Sequence, residues 1–128
     1  LKGIIDRVDK RNETIRIIDY KTGLMKPGDL KMKNPSTLFD SSSQTKAMQL
    51  MCYASMYLKN NISLKGLEAG IISFRDLNSG LMKLTINNPS ERTSFIKTSH
   101  IDEFEKSLKK LILEMMNSEI PFTKSGLN

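Results

Sequence analysis

Asp19 and Lys21 stand two residues apart at the end of the apolar run Ile15-Arg16-Ile17-Ile18, and Asp6 stands ahead of it in Gly3-Ile4-Ile5-Asp6-Arg7-Val8-Asp9. On a strand, side chains alternate between faces, so residues two apart point the same way. A carboxylate and an ammonium are then held side by side on rigid backbone, with a second carboxylate one strand away. Close carboxylates repel unless a shared proton or a divalent cation neutralises them. A hard cation such as Mg²⁺ or Mn²⁺ takes carboxylate, carbonyl and water oxygens. It polarises a phosphate oxygen and lowers the pKa of a bound water. A lysine beside it meets the charge that grows on phosphorus. The chemistry indicated is metal-assisted phosphodiester hydrolysis. An ordinary Asp-x-Lys on a strand is a weak surface ion pair. This one differs in following an apolar run and in having a matching acid upstream.

The elements that must position these groups are two strands. Segments 3–9 and 14–20 are rich in β-branched residues, and the polar stretch Lys10-Arg11-Asn12-Glu13 separates them, which reads as a hairpin. A turn centred on Asn12-Glu13 pairs Asp9 with Arg16, Arg7 with Ile18 and Asp6 with Asp19. Directly opposed residues share a face with Cβ atoms ~5 Å apart, so Asp6, Asp19 and Lys21 cluster in that register. A slip of one residue moves Asp6 to the other face. Both faces of strand 14–21 are partly apolar, as in a sheet covered on both sides.

Further along, residues 45–59 show helical periodicity through Ala47, Leu50, Met51, Ala54, Tyr57 and Leu58. Gln49 and Tyr53 are four apart on a neighbouring face. Residues 24–45 carry the turn signals Lys26-Pro27-Gly28-Asp29 and Asn34-Pro35-Ser36 and the polar run Asp40-Ser41-Ser42-Ser43-Gln44. A solvated loop is expected there; the alternative is a strand-guiding flap beside the site. Ala69–Arg75 reads as a strand, Asp76-Leu77-Asn78-Ser79-Gly80 as a turn and Leu81–Ile86 as the returning strand. Residues 99–117 read as an amphipathic helix with Ser99 as N-cap. Its expected buried stripe is Ile101, Phe104, Leu108, Leu111, Ile112 and Met115, with Lys106, Lys109 and Lys110 facing solvent. The fold class that follows is α/β, a mixed central sheet flanked by helices.

Three motifs in this order resemble the PD-(D/E)XK nuclease superfamily, and most closely its RecB/AddB-like branch. Gly3-Ile4-Ile5-Asp6-Arg7 resembles that branch's Gly-x-Ile-Asp-Arg, Asp19-Tyr20-Lys21-Thr22-Gly23 its Asp-Tyr-Lys-Thr-Gly, and Gln49-Leu50-Met51-Cys52-Tyr53 its Gln-x-x-x-Tyr. The resemblance is clear over residues 3–57. It implies a restriction-endonuclease-like core. It implies Asp6 and Asp19 as metal-binding carboxylates, the Tyr20 backbone carbonyl as a further ligand, Lys21 as the catalytic lysine, and Gln49 and Tyr53 as contacts to the nucleic-acid strand. It further implies Mg²⁺ or Mn²⁺ as cofactor, DNA as partner, and a helicase motor in the same parent protein or in a partner subunit. The family's preceding helix, which carries a completing Glu or His, has no counterpart ahead of Leu1. The branch's four cluster cysteines have none either, so no iron–sulphur cluster is expected. Both absences lead us to expect residues 1–128 to be a single nuclease core excised from a longer protein, with reduced activity in isolation.

Composition sets outer bounds. The chain has 128 residues and a net charge of +6, which favours an anionic partner. No apolar run is long enough for a membrane span, and a cytoplasmic setting is expected. Cys52, the only cysteine, has no partner for an internal disulfide and reads as a buried thiol on a helix. His100, the only histidine, reads as a surface residue at a helix start. No phosphate-binding Walker pattern, dinucleotide loop or zinc ligand set is present. Two rival readings stand beside the nuclease: a catalytically inactive nucleic-acid-binding domain that kept the fold, and a structural domain that packs on a partner subunit.

Overall fold

The computed structural model describes residues 7–26, 28–40 and 44–117. In chain order the elements are β1 (Arg7–Arg11), β2 (Thr14–Lys21), β3 (Lys31–Met32), a 3-10 turn (Pro35–Phe39), α1 (Thr45–Lys59), β4 (Gly66–Ser73), a short 3-10 turn (Leu77–Ser79), β5 (Met82–Lys83), β6 (Thr85–Asn87), β7 (Arg92–Thr93), β8 (Ile96–Lys97) and α2 (Thr98–Met116).

The hairpin forms in the register expected. Asp9 lies opposite Arg16 and Arg7 opposite Ile18. Asn12 and Glu13 make the turn with φ of 51° and 67°, the sign that a two-residue type I′ turn requires. Asn enters the left-handed region readily and Glu does not. Across the strands the register is also held by the Arg16–Asp9 pair. The expected pairing of Asp6 with Asp19 lies outside the described residues.

β2 next pairs in parallel with β4, Asp19 beside Ile71 and Lys21 beside Ser73. A parallel pair needs a crossover, and α1 lies within that connection. On the far side of β4 run β5 and β8, both antiparallel. Two glycines permit this. A Cβ on Gly70 would lie 2.5 Å from the Met82 carbonyl oxygen, and one on Gly66 would lie 2.5 Å from that of Ile96. The result is a mixed sheet, β1-β2-β4-β5 with β8 also on β4, and a second small sheet of β3, β6 and β7.

The core joins Ile17, Ala69 and Ile71 of the sheet to Ala47, Leu50, Met51 and Ala54 of α1 and to Ile101 and Phe104 of α2. Each of the larger of these side chains, the Ile, Leu, Met and Phe, contributes about 1.5–3 kcal/mol when fully buried. Both helices thus pack on the Ile17 side of the sheet. On the other side Ile18 is also buried, and the Leu81 side chain sits over Gly70.

Several expectations are corrected. Residues 24–45 are more than a solvated loop: Leu30, Met32, Pro35 and Leu38 are buried there. The 3-10 turn packs on α2, Phe39 stacking on Phe104 with centroids 5.4 Å apart. Residues 41–43 of the polar run lie outside the described residues. The second strand is Gly66–Ser73 instead of 69–75. The returning strand breaks in two, because the chain leaves β4 after Leu84 and pairs in parallel with β3 from Thr85.

The second helix starts one residue early, capped at Lys97 and not at Ser99. The Lys97 N–H donates to Nδ1 of His100 at 3.0 Å, and Nε2 of that ring lies 3.2 Å from both carboxylate oxygens of Glu91. Accepting at Nδ1 places the ring proton on Nε2, which donates to Glu91. His100 is therefore a buried structural residue, contrary to the surface reading. The expected apolar stripe stops short as well, since Ile112 and Met115 are exposed. Cys52 is half-buried, and burial pushes its thiol pKa up.

Candidate active site

The carboxyl end of β2 delivers Asp19 and Lys21 to the same face, the one that packs toward α1. Asp19 is 5% exposed. The Lys21 Nζ lies 3.0 Å from Asp19 Oδ2 and donates to Gln49 Oε1 at 3.0 Å. Gln49 Nε2 in turn donates to the Tyr53 hydroxyl at 2.9 Å. Four of the sequence-predicted residues thus form one connected chain, drawn from β2 and α1. Asp6 lies outside the described residues.

Helix geometry explains the α1 half. Residues four apart are neighbours on a helix surface, so Gln49 and Tyr53 present their polar ends to one another. The Tyr53 ring is buried in the core and only its hydroxyl joins the polar chain. Donor chemistry then fixes direction. An ammonium has three donors and no acceptor, so the Gln49 oxygen must face Lys21 and its nitrogen must face Tyr53. The Tyr53 oxygen accepts from Gln49. The chain is directional: its donors run from Lys21 through Gln49 to Tyr53.

Backbone contacts fix the end of β2. The Phe74 N–H donates to the Lys21 carbonyl at 2.9 Å. Ser73, fully buried, donates its hydroxyl to the Gly23 carbonyl at 2.8 Å and accepts from the Arg75 N–H at 3.2 Å. The segment after Lys21 is thereby tied to the end of β4. Ser73 went unnoticed in the sequence; its signal is a lone hydroxyl closing the run Gly70-Ile71-Ile72.

The opposite face of the hairpin carries a different pair. Arg16 Nε and Nη2 donate to the two carboxylate oxygens of Asp9 at 2.7 and 2.6 Å. Those two hydrogen bonds hold the Asp9 carboxyl below its ordinary range, against the opposing effect of burial.

The donor set bears on a metal. Among the described residues no group of three or more His, Cys, Asp or Glu is placed to hold one. A closed zinc site, which needs four such ligands, therefore does not fit. A Mg²⁺-type ion does fit, because it is bound through one or two carboxylates together with substrate phosphates and waters. Asp19 supplies one such oxygen donor.

The family model of the PD-(D/E)XK nuclease superfamily matches residues 1–126. No curated protein and no solved structure gives a significant match. The mixed sheet with its helices is the restriction-endonuclease-like α/β core that this match implies.

Proposed function

The chain belongs to the PD-(D/E)XK nuclease superfamily, and we propose that residues 1–128 form one nuclease core that hydrolyses DNA phosphodiesters with a divalent metal. The observation that carries this reading is the polar chain Asp19–Lys21–Gln49–Tyr53, built from two elements on one face. In the proposal Asp19, with Asp6 and the Tyr20 backbone carbonyl, holds Mg²⁺ or Mn²⁺. When bound, the ion supplies Lewis-acid polarisation of a phosphate oxygen and a more acidic water.

The chain's own residues do the rest. Lys21 donates to the attacking water or to the oxygen on which charge develops, and Gln49 holds its ammonium in place through the Oε1 contact. Tyr53, held by Gln49, contacts the nucleic-acid strand. The net charge of +6 supports sequence-independent attraction of a polyanion. The wider setting is proposed as the nuclease module of a cytoplasmic helicase–nuclease or other repair or recombination protein, with the motor in the same parent chain or in a partner subunit. No helix among the described residues is long and apolar enough to cross a membrane.

The rival is a nucleic-acid-binding domain that kept the fold without activity. The two separate in a cleavage assay on the full chain with labelled DNA. We expect cleavage with Mg²⁺ or Mn²⁺, none after chelation, and loss of cleavage but retention of DNA binding in Lys21→Ala. The lysine acts on charge that develops in the transition state, so its removal lowers rate more than affinity. DNA binding without metal-dependent cleavage would favour the inactive rival.

A further inference from the structure

Just past Lys21 the protein displays an aromatic surface that hydrolysis does not require. Tyr20 and Phe74 stack with centroids 5.4 Å apart and planes inclined by 10°. Phe74 is 55% exposed, and Leu24 and Leu77, which follow the same two parallel strands, are exposed too. Crevices outside the carboxyl ends of parallel strands are where open α/β sheets bind their ligands. Apolar groups left clustered in water mark contact surfaces. Tyr20 points to the face of β2 opposite Asp19 and Lys21. Both the rings and Lys21 sit at the same carboxyl edge of the sheet, where the Phe74 N–H is bonded directly to the Lys21 carbonyl.

Two arginines edge these rings, each with an acid near it: Asp9 lies 3.5 Å from Arg7, and Asp76 is exposed beyond Arg75. The Arg7 guanidinium donates to the Tyr20 hydroxyl at 3.4 Å, and Arg75 is exposed next to Phe74. An exposed ring, backed by a second ring and edged by arginines, matches a nucleobase with its phosphates. Stacked rings with arginine donors at hand suit a base and its phosphate, and the chain's net charge of +6 attracts a polyanion. The bases of an intact duplex stack on one another and offer no free face, whereas each unpaired base offers a π-face to an aromatic side chain.

We propose that Phe74, supported by Tyr20, stacks an unpaired base of the strand whose backbone passes Lys21, and so selects single-stranded or frayed nucleic acid over closed duplex. This rests on the nuclease reading of the adjacent site.

The chain has no tryptophan, which makes Phe74→Trp a direct reporter with a single indole. The measurement is indole fluorescence of the full chain in metal-free buffer, titrated with a thymidine oligonucleotide, an abasic oligonucleotide of equal length and a closed hairpin duplex. Strong quenching is expected with the thymidine strand and little with the other two. In parallel, Phe74→Ala should weaken single-strand binding roughly tenfold while leaving abasic-strand binding within about twofold. Equal quenching by abasic and thymidine strands overturns stacking. An equal loss of duplex and single-strand binding in Phe74→Ala overturns the selectivity. If no oligonucleotide quenches the indole while Lys21-dependent cleavage persists, the inference fails alone, and the surface belongs to a protein partner. If no nucleic acid is bound or cleaved by any form, the nuclease reading fails with it.

Discussion

Two of the carboxylate–cation pairs on the β1–β2 hairpin, Asp9–Arg16 on one face and Asp19–Lys21 on the other, differ in how they are built. Asp9 and Arg16 sit directly across from one another on neighbouring strands. The guanidinium fork grips both carboxylate oxygens. Planar bidentate pairing of this kind uses arginine's geometry fully, and Arg7 Nη2 approaches the same carboxylate at 3.5 Å. Asp19 and Lys21 sit two apart on one strand. The ammonium touches one carboxylate oxygen, and its second contact is a neutral amide. A compact charge with three rotatable donors can turn toward a phosphate without breaking its scaffold. The first pair is a clamp between strands. The second is a pair poised for exchange, with the carboxylate buried and the lysine partly open to solvent. Identical charges on one hairpin therefore differ in geometry, fork against point donor, and in the groups next in line.

The largest test of this contrast is to remove one acid from each pair. Asp19→Asn is expected to lower the cleavage rate by about 10²–10³, the scale of losing one transition-state electrostatic group. Asp9→Asn is expected to stay within about twofold when assayed well below its Tm. Single-turnover rates on the same DNA substrate would show the difference. Comparable losses in the two variants would erase the distinction and move the catalytic group elsewhere.

A smaller effect is expected one bond further out. Gln49→Leu keeps the size of the side chain but removes the acceptor for Lys21 and the donor for Tyr53. A group displaced by about an ångström can cost up to ~10²-fold. A loss of roughly tenfold is expected in kcat, because the lysine remains and only its positioning suffers. DNA affinity should change little. Gln49→Glu restores an acceptor and should recover part of the rate. A rate unchanged in Gln49→Leu would reduce the α1 contact to packing.

How much of this was legible beforehand follows from the range of the interactions. The hairpin register could be read because alternation over Ile15–Ile18 and the short polar turn are local signals. The placement of Gln49 near Lys21 could not be read from spacing; it came from the motif resemblance. The structure sets the two side chains in contact through a parallel crossover 28 residues apart. Residues 24–45 were misjudged as solvated because Leu30, Met32 and Leu38 are isolated apolars among turn formers, with no period to reveal them. They are buried because the turn carrying Leu38 packs on α2 and the segment carrying Leu30 and Met32 pairs with β6. The stripe at Ile112 and Met115 failed for the opposite reason. Periodicity there is sound, but the partner surface ends near Leu108, which still packs on the core. His100 was missed because its two partners, the Lys97 N–H and Glu91, follow from a loop conformation that sequence spacing does not encode.

The smallest effect belongs to the clamp, and its pH dependence gives it a signature of its own. The Asp9 carboxyl is held below its ordinary range by the Arg16 hydrogen bonds. A carboxylate whose pKa is lower folded than unfolded adds stability at all pH values above the unfolded value, about 3.9. That stability is lost as pH falls through the lower folded value. Asp9→Asn should therefore lower stability at pH 7 by about 1 kcal/mol, the scale of a partly exposed but well-aligned pair. The gap from wild type should hold down to about pH 4 and close in more acidic solution, where wild type loses the charge as well. Urea midpoints at pH 7, 5, 4 and 3 would record this. A gap that stays constant into strong acid would mean that Asp9 acts through shape and neutral hydrogen bonding. The hairpin would then be held by its apolar alternation, and the clamp would have no electrostatic part in placing Asp19.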